Sequence, residues 1–344
     1  MRAPTDPVTE RDLASIPKVE LHVHLGGSIT EETAAELARR HGADPEAALH
    51  LVDGRYPAPY GGFGAFLEAY LAANEFVRTP ADLELVAAAF AEAQAAQAIR
   101  YSEVIFTAMI YVRNGIDSAE MWRALRGGLS AGGPTTRIGI VVDAIRDFGR
   151  AEAEATVRLV EGADAPIVGL CLTGVEGTVA TSEFTLMREA RDRLGLGLQV
   201  HAGETGPPVG VTEALDILGA DRIGHGVRAI EDPALLERLV RDEVPLDVCP
   251  SSNVATGLYP SLTEHPAAEL WRAGATITIS SDDPPFFATT LTDELRDFVR
   301  IAGLDRHDLA ELQRRAARVS FAAEDVRREL IDAIDAWEES PAKV

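Results

Sequence analysis

Short apolar runs alternate with amphipathic stretches along most of the chain. The runs are rich in Val, Ile and Leu, which predicts strands that are buried on both faces. We predict eight strands, at residues 19–25, 101–106, 137–144, 167–172, 195–201, 222–226, 245–249 and 276–280. Helical patterns lie between them, for example at residues 182–194, 210–218, 233–241 and 266–273. This alternation predicts an α/β fold, a (β/α)8 (TIM) barrel.

No internal repeat, low-complexity segment or linker divides the chain, so we predict a single domain over residues 1–344 with a core at about residues 16–329. The connection after the first strand is long and holds several helices. Ser28 and Glu31 have the spacing of a capping box for a helix that runs to Arg40. Residues 60–67 mix glycines with aromatic residues, which fits either a cover over a site or a hydrophobic cluster under a long loop.

Composition and charge exclude several classes of function. The net charge of −23 disfavours binding to nucleic acid, and no apolar run is long enough to span a membrane. Residues 1–13 carry no apolar signal core, and Cys171 and Cys249 both lie in apolar runs, so we expect a reduced, cytoplasmic protein. Lysine occurs only at Lys18 and Lys343, which excludes catalysis by a lysine in mid-chain.

Two histidines one residue apart provide the first candidate chemistry. His22 and His24 fall on the first predicted strand, and residues i and i+2 of a strand point to the same side. Both imidazoles can therefore bind one metal ion. The strand ends at Gly26-Gly27, where the backbone can turn tightly or approach a ligand closely.

Further histidines and acids stand at the carboxyl ends of other predicted strands, which is where barrel enzymes build their active sites. His22, His24, His201 and Asp282 form a nitrogen and oxygen set that suits one zinc ion per chain. Bound zinc lowers the pKa of water toward neutrality, which provides a nucleophile.

Three further residues at the strand ends have roles to fill. His225 can accept the proton of the water and steady the attacking oxygen, and Glu204 is a general acid. Asp283 can accept a hydrogen bond from the substrate. His201, His225 and Asp282 also have purely structural interpretations, while His265 precedes a helix and is expected to cap it or pack there.

Five segments together resemble the adenosine deaminase family, which lies within the amidohydrolase barrels. They are residues 17–25 (PKVELHVHL), 201–204 (HAGE), 222–226 (RIGHG), 249–253 (CPSSN) and 281–284 (SDDP). The resemblance implies a mononuclear zinc enzyme that replaces the 6-amino group of a purine with oxygen. It also implies that Glu204 protonates N1, His225 handles the hydroxide, Asp283 contacts N7 and the backbone of Gly174 meets N3.

Gly26 departs from the family pattern. Members that act on adenosine usually have Asp there, for the ribose 5′-hydroxyl, and adenine deaminases have Glu. We therefore expect a small-molecule substrate that is a 5′-modified adenine nucleoside, with the substituent above Gly26-Gly27. One such substrate is 6-amino-6-deoxyfutalosine of menaquinone synthesis, whose carboxylate would bind Arg113, Arg146 or Arg228.

Other substrates and functions stay open. Plain adenosine with water in place of the carboxylate is one alternative, and free adenine is another. A binuclear amidohydrolase would need a carboxylated lysine on the fourth strand, which has none. A catalytically dead barrel would be expected to have lost a ligand or Glu204, and neither is lost. Cys171 stands where the family often has Asp, without an evident role, and the oligomeric state is not predicted.

Overall fold

The computed structural model describes residues 7–340 and confirms the barrel. Its eight strands form one parallel sheet in sequence order. The strands are β1 Lys18–His24, β2 Ile99–Phe106, β3 Arg137–Ile145, β4 Ile167–Thr173, β5 Gly197–Ala202, β6 Arg222–His225, β7 Leu246–Val248 and β8 Ile277–Ile279. Every predicted strand is present, and each strand end lies within two residues of its predicted position.

Sixteen α-helices surround the sheet in the described part of the chain. They are α1 Glu10–Ser15, α2 Glu31–Arg40, α3 Pro45–Ala48, α4 Phe63–Asn74, α5 Pro80–Ala96, α6 Ala108–Arg113, α7 Ser118–Leu129, α8 Gly149–Glu161, α9 Thr185–Leu194, α10 Val209–Asp216, α11 Pro233–Arg241, α12 Pro250–Ala255, α13 Ala267–Arg272, α14 Leu291–Ala302, α15 Arg306–Val319 and α16 Glu324–Glu339. Helices α2 to α5 form the predicted long insertion after β1.

The predicted capping box of α2 is wrong. Thr30 caps this helix, because its side chain accepts the backbone N–H of Thr33 at 3.2 Å. Ser28 instead lies in a short 3-10 turn, where its hydroxyl donates to the carbonyl of His24 at 2.7 Å. Capping thus begins two residues later than predicted, since the chain first makes this turn at the end of β1.

The barrel closes through the residue that follows β8 by three positions. The backbone N–H of Asp282 donates to the carbonyl of His22 at 3.1 Å, and the N–H of His24 donates to the carbonyl of Asp282 at 2.9 Å. Val23 and Asp282 therefore form a parallel bridge between the last and first strands. The closure brings a predicted ligand after β8 directly against the two predicted ligands on β1.

A buried ionic network fills part of the barrel interior. The guanidinium of Arg222 donates to Glu103 at 2.6 Å and to Asp247 at 2.8 Å, and it lies 3.9 Å from the ring centroid of Phe321. Asp247 also accepts a hydrogen bond from the Gln199 amide. Paired charges of this kind offset the cost of burying each one alone. The network connects the interior to the residues under the candidate site.

None of the helices within residues 7–340 is long and apolar enough to cross a membrane. Cys171 and Cys249 are both buried free thiols.

Candidate active site

The site forms at the carboxyl ends of the strands, and two of its residues have strained backbones. His225, the last residue of β6, has φ of 61°, and Asp282 has φ of 63°. Residues other than glycine rarely adopt this left-handed backbone conformation, and such backbone strain is often found at functional sites. In both cases the turn at the strand end aims the side chain into the mouth of the barrel.

The structure brings the four predicted metal ligands together. The Nε2 atoms of His22 and His24 lie 3.5 and 3.3 Å from the same oxygen, Oδ1 of Asp282. The ring centroid of His201 lies 4.5 Å from that of His22 and 5.6 Å from that of His24. His225 completes the group, with its ring centroid 5.1 Å from that of His201.

The donor set fits a zinc ion. His22 is fully buried, and its Nε2 atom has no hydrogen-bond partner among the described residues. A buried nitrogen without a partner is costly unless an unseen ligand satisfies it. Three imidazoles and one carboxylate are the ligand types that zinc prefers, so His22, His24, His201 and Asp282 would hold the metal. Two further residues lie close to the candidate ligands. Potential ligand atoms of Cys249, His22 and Asp282 lie within 4.8 Å of one another, and so do those of Asp283, His24 and Asp282.

Cys171 supports the ligands from below. Its thiol lies 3.5 Å from Nδ1 of His201 and 3.4 Å from Oε1 of Gln199, and the amide nitrogen of Gln199 lies 3.4 Å from Nδ1 of His22. Partners on the far side of an imidazole orient the ring and direct its other nitrogen to the metal. The sequence alone indicated no such role for Cys171, because it does not show that Cys171 on β4 lies beside Gln199 on β5.

Glu204 is buried beside this cluster. Its Oε1 atom lies 3.6 Å from Nε2 of His225 and accepts a hydrogen bond from Nδ2 of Asn253 at 3.3 Å. Burial raises the pKa of the Glu204 carboxyl well above its usual value, and the nearby carboxylates of Asp282 and Glu176 raise it further. A carboxyl that keeps its proton near neutral pH can act as a general acid.

Glu176, which follows β4, holds the loop that carries Glu204. One carboxylate oxygen accepts the backbone N–H of Gly203 at 2.7 Å, and the other accepts those of Glu204 at 2.8 Å and Gly206 at 3.0 Å. Three bonds from one side chain fix the turn after β5. Glu176 is therefore a site residue that the sequence presents only as a neighbour of Gly174.

A cavity of about 230 Å³ opens over the cluster. Seven of the predicted site residues line this cavity, namely His24, Gly174, His201, Glu204, His225, Asp282 and Asp283. Gly174 has φ of 92°, and a Cβ atom there would lie 2.2 Å from Oδ2 of Asp147, so only glycine fits. Asp283 is buried, and its Oδ1 atom lacks a partner in the part of the chain that the structure describes. Asp283 thus contributes a buried carboxyl to the cavity lining.

The interpretation of Gly26 as open space is wrong. A Cβ atom at Gly26 would lie 2.5 Å from Oδ1 of Asn74 and 2.6 Å from the hydroxyl oxygen of Tyr70. Gly26 is buried and does not line the cavity, whereas Tyr70 does. A Cβ atom at Gly27 would likewise lie 1.6 Å from Oδ1 of Asp283. Protein atoms therefore fill the space in which we expected a substituent.

Helix α4 covers one side of the cavity. Phe63, Phe66, Leu67, Tyr70 and Leu71 all contribute to its lining. The same helix packs in an aromatic cluster, with the ring of Phe66 4.9 Å from that of Phe287. Residues 60–67 were expected to form either a cover over a site or a hydrophobic cluster. Helix α4 does both, because its inner face packs in the aromatic cluster and lines the cavity.

Asp143 on β3 is a lining residue that the sequence analysis missed. It is 1% exposed, and its Oδ2 atom accepts a hydrogen bond from the hydroxyl of Thr173 at 2.6 Å. Its Oδ1 atom has no partner within residues 7–340. The signal was an acid in an otherwise apolar strand, since burial of an unpaired carboxylate is expensive unless a ligand or a function retains it.

The three candidate arginines differ in position. Arg146 is buried and donates to the carbonyls of Thr173 and His201 at 3.2 and 2.5 Å, so it supports the site's backbone. Arg228 pairs with Glu231 and donates to the carbonyls at residues 205 and 206. Neither side chain lines the cavity.

Arg113 is the arginine that borders the cavity. It pairs with Glu152, and its guanidinium lies 4.4 Å from the ring centroid of Phe148. It lines a groove that shares Leu71, Ile145 and Phe148 with the cavity. The Arg113 side chain is 40% exposed, so it can meet a group that reaches out of the cavity.

Known proteins match over nearly the whole chain. The profile of the family described as adenosine deaminase matches residues 17–337. The chain is 37% identical to aminodeoxyfutalosine deaminase from Streptomyces coelicolor, over 96% of this chain and 88% of that protein. It is 36% identical to adenine deaminase from the same organism, over 91% of this chain and 92% of that protein. The crystal structure of adenine deaminase from Arthrobacter aurescens superposes with a TM-score of 0.87 at 28% identity, covering 95% of this chain and 100% of the other. The chain therefore belongs to the adenosine deaminase family of the amidohydrolase superfamily, and it is a hydrolase of carbon–nitrogen bonds.

Proposed function

We propose that the protein is a zinc-dependent deaminase that replaces the 6-amino group of an adenine nucleoside with oxygen and releases ammonia. The observation that carries this proposal is the cluster of His22, His24, His201 and Asp282, with the buried Glu204 carboxyl beside it in one cavity. A zinc ion bound there would supply an activated water at neutral pH.

The chain's own residues divide the remaining work. Attack at C6 of an aromatic purine is unfavourable until N1 carries a proton. Burial raises the pKa of the Glu204 carboxyl, which favours the protonated form that can supply it. Nε2 of His225 lies 3.6 Å from Glu204 and 3.9 Å from Asp282, between the acid and the metal ligands. From there, Nε2 of His225 steadies the oxygen of the attacking water by donating a hydrogen bond to it.

Two further groups orient the base. Burial and the neighbouring Asp282 raise the pKa of Asp283, so its protonated carboxyl can donate a hydrogen bond to N7. The backbone of Gly174, which lacks a Cβ atom, meets N3. Both line the cavity that contains Glu204. With N1, N3 and N7 contacted, C6 of the base would face the four residues that would hold the zinc ion.

The substrate that we propose is a 5′-modified adenine nucleoside such as 6-amino-6-deoxyfutalosine. A relative of 37% identity has the name aminodeoxyfutalosine deaminase. Apolar side chains of α4, with Phe148, suit an aryl substituent, and Arg113 in the adjoining groove suits its carboxylate. The substituent thus extends toward Phe148 rather than over Gly26. This activity would assign the enzyme to menaquinone synthesis in the cytoplasm, with a small molecule rather than nucleic acid as its partner.

Deamination of free adenine is the second candidate, because a relative of 36% identity has the name adenine deaminase. The Oδ1 atom of Asp143 has no hydrogen-bond partner within residues 7–340, which favours a nucleoside as the substrate. The hydroxyl groups of a sugar could donate to this oxygen, whereas free adenine has no sugar.

Ammonia release from a panel of adenine compounds tests the proposed reaction. We expect release by protein that holds one zinc per chain, loss of release after exhaustive chelation, and recovery when zinc is returned. Absence of release from every compound, or full activity after chelation, would overturn the proposal. Two metal equivalents per chain would favour a binuclear amidohydrolase instead.

A further inference from the structure

The CPSSN segment at residues 249–253 has no role in the proposed chemistry, yet its last residue contacts both catalytic candidates. Asn253 is fully buried on α12. Its Nδ2 atom lies 3.3 Å from Oε1 of Glu204 and 3.5 Å from Nδ1 of His225. An amide nitrogen carries two hydrogens, so it can donate to both acceptors.

The orientation of this amide is set by a second buried side chain, His265. Nδ1 of His265 accepts the backbone N–H of Ala267 at 3.2 Å, so this ring nitrogen carries no hydrogen. Burial lowers the pKa of His265 to about 3, which keeps the ring neutral. The single ring hydrogen is therefore on Nε2, which lies 3.0 Å from Oδ1 of Asn253. This bond directs Oδ1 to His265 and Nδ2 to the site.

We propose that His265 and Asn253 are positioning residues, which fix the tautomer of His225 and the orientation of the Glu204 carboxyl through one chain of hydrogen bonds. The chain runs from the backbone of Ala267 through both side chains to the two catalytic candidates. When Nδ2 donates to Nδ1 of His225, the hydrogen of that ring is on Nε2, which faces Glu204 and Asp282. His265 thereby does more than cap α13, the role that its sequence position indicates.

This inference rests on the proposed function for its kinetic test. His265→Phe keeps a ring against Tyr259, whose centroid lies 4.8 Å away, but cannot donate to Asn253. His265→Gln retains an N–H donor near the position of Nε2. We expect His265→Phe to lower kcat by about 10- to 100-fold with little change in KM or zinc content, and His265→Gln to restore most of the loss.

A control separates positioning from general loss of stability. His41→Phe removes a histidine hydrogen bond of 2.8 Å to Asp82, outside the site. It should lower Tm, because it removes a histidine hydrogen bond, while leaving kcat unchanged. Equal kcat losses in His41→Phe and His265→Phe, or no rescue by His265→Gln, would overturn the inference.

The nitrogen-15 chemical shifts of the histidine rings provide a test that does not depend on activity, because they distinguish a bare ring nitrogen from a protonated one. In the zinc-loaded wild type, His265 and His225 should both carry their hydrogen on Nε2. Asn253→Ala should alter the pattern of His225 and leave that of His265 on Nε2. A hydrogen on Nδ1 of His265 would contradict the inference even if the protein deaminates adenine compounds, and the expected pattern without ammonia release would contradict only the proposed function.

Discussion

The hydroxyl oxygen of Tyr70 lies 2.6 Å from the point at which a side chain on Gly26 would begin. Helix α4 thus delivers, from 44 residues further along the chain, the polar group that stands where β1 ends. Asn74 holds this arrangement, because its amide donates to the carbonyls of Gly26 at 3.2 Å and Tyr70 at 2.9 Å. A ligand on the Gly26 side of the cavity therefore meets the phenol of Tyr70 rather than open space.

Gly26→Ala should destabilise the protein. The added Cβ atom would lie 2.5 Å from Oδ1 of Asn74, which is held by the hydroxyl of Tyr111 at 3.0 Å and cannot move freely. Overpacking of this kind costs about 1–3 kcal/mol in the free energy of unfolding, measured by urea denaturation. Gly64→Ala on α4 is the matched control, since its Cβ atom would meet nothing within 4 Å. Equal stabilities for the two variants would contradict the packing at Gly26.

Glu204→Gln should keep the fold and the metal but lose turnover. The amide is similar in size and can still accept the hydrogen bond from Asn253, yet it has no proton to give to the ring. General acids contribute about 10²- to 10⁴-fold, so we expect a fall of that size in kcat for ammonia release. Zinc content per chain serves as the control. A variant with near wild-type kcat would remove Glu204 from the mechanism.

Asp143→Ala should discriminate between nucleosides and the free base. The proposed contacts with the base come from residues after β4, β5 and β8, which leaves Asp143 on β3 for the rest of the ligand. Loss of a buried acceptor costs about 1–3 kcal/mol, so kcat/KM for nucleosides should fall by about 10- to 100-fold. The value for adenine should change much less. A similar fall for both would show that Asp143 supports the site rather than reading the sugar.

Glu294 should make stability depend on pH. Burial raises its pKa to about 8 from an ordinary 4.5, so the folded protein retains a proton that the unfolded chain releases at lower pH. The free energy of unfolding should therefore fall as pH rises between about 5 and 8, by up to about 1.4 kcal/mol per pH unit for this group. Glu294→Gln lacks this loss, and its amide oxygen can accept the N–H of Ser251 while its amide nitrogen donates to the hydroxyl of Thr289. Urea denaturation of both proteins across this pH range should show that the free energy of unfolding falls less with pH in the variant than in the wild type. An equal dependence on pH in the two proteins would refute the assignment.

The barrel and the grouping of the candidate metal ligands were predictable from the sequence because both follow from local patterns. Apolar runs with helical stretches between them specify the strands, and the topology of a barrel brings strand ends together, so His22 and Asp282 could be paired across 260 residues. The interpretation of Gly26 failed because Tyr70 and Asn74 arrive from a helix whose packing the sequence does not reveal. Asp143 was missed for a related reason, since its free oxygen is visible only once Thr173 is seen to hold the other one.

Deamination of a 5′-modified adenine nucleoside can be distinguished from deamination of adenosine or adenine by kcat/KM measured on one panel of substrates. The panel for the zinc-loaded protein is 6-amino-6-deoxyfutalosine, methylthioadenosine, 5′-deoxyadenosine, adenosine and adenine. We expect the highest value for 6-amino-6-deoxyfutalosine, and a loss of that preference in Arg113→Ala, because Arg113 borders the cavity where the carboxylate would emerge. A clear preference for unmodified adenosine or free adenine would exclude a 5′-modified nucleoside as the substrate.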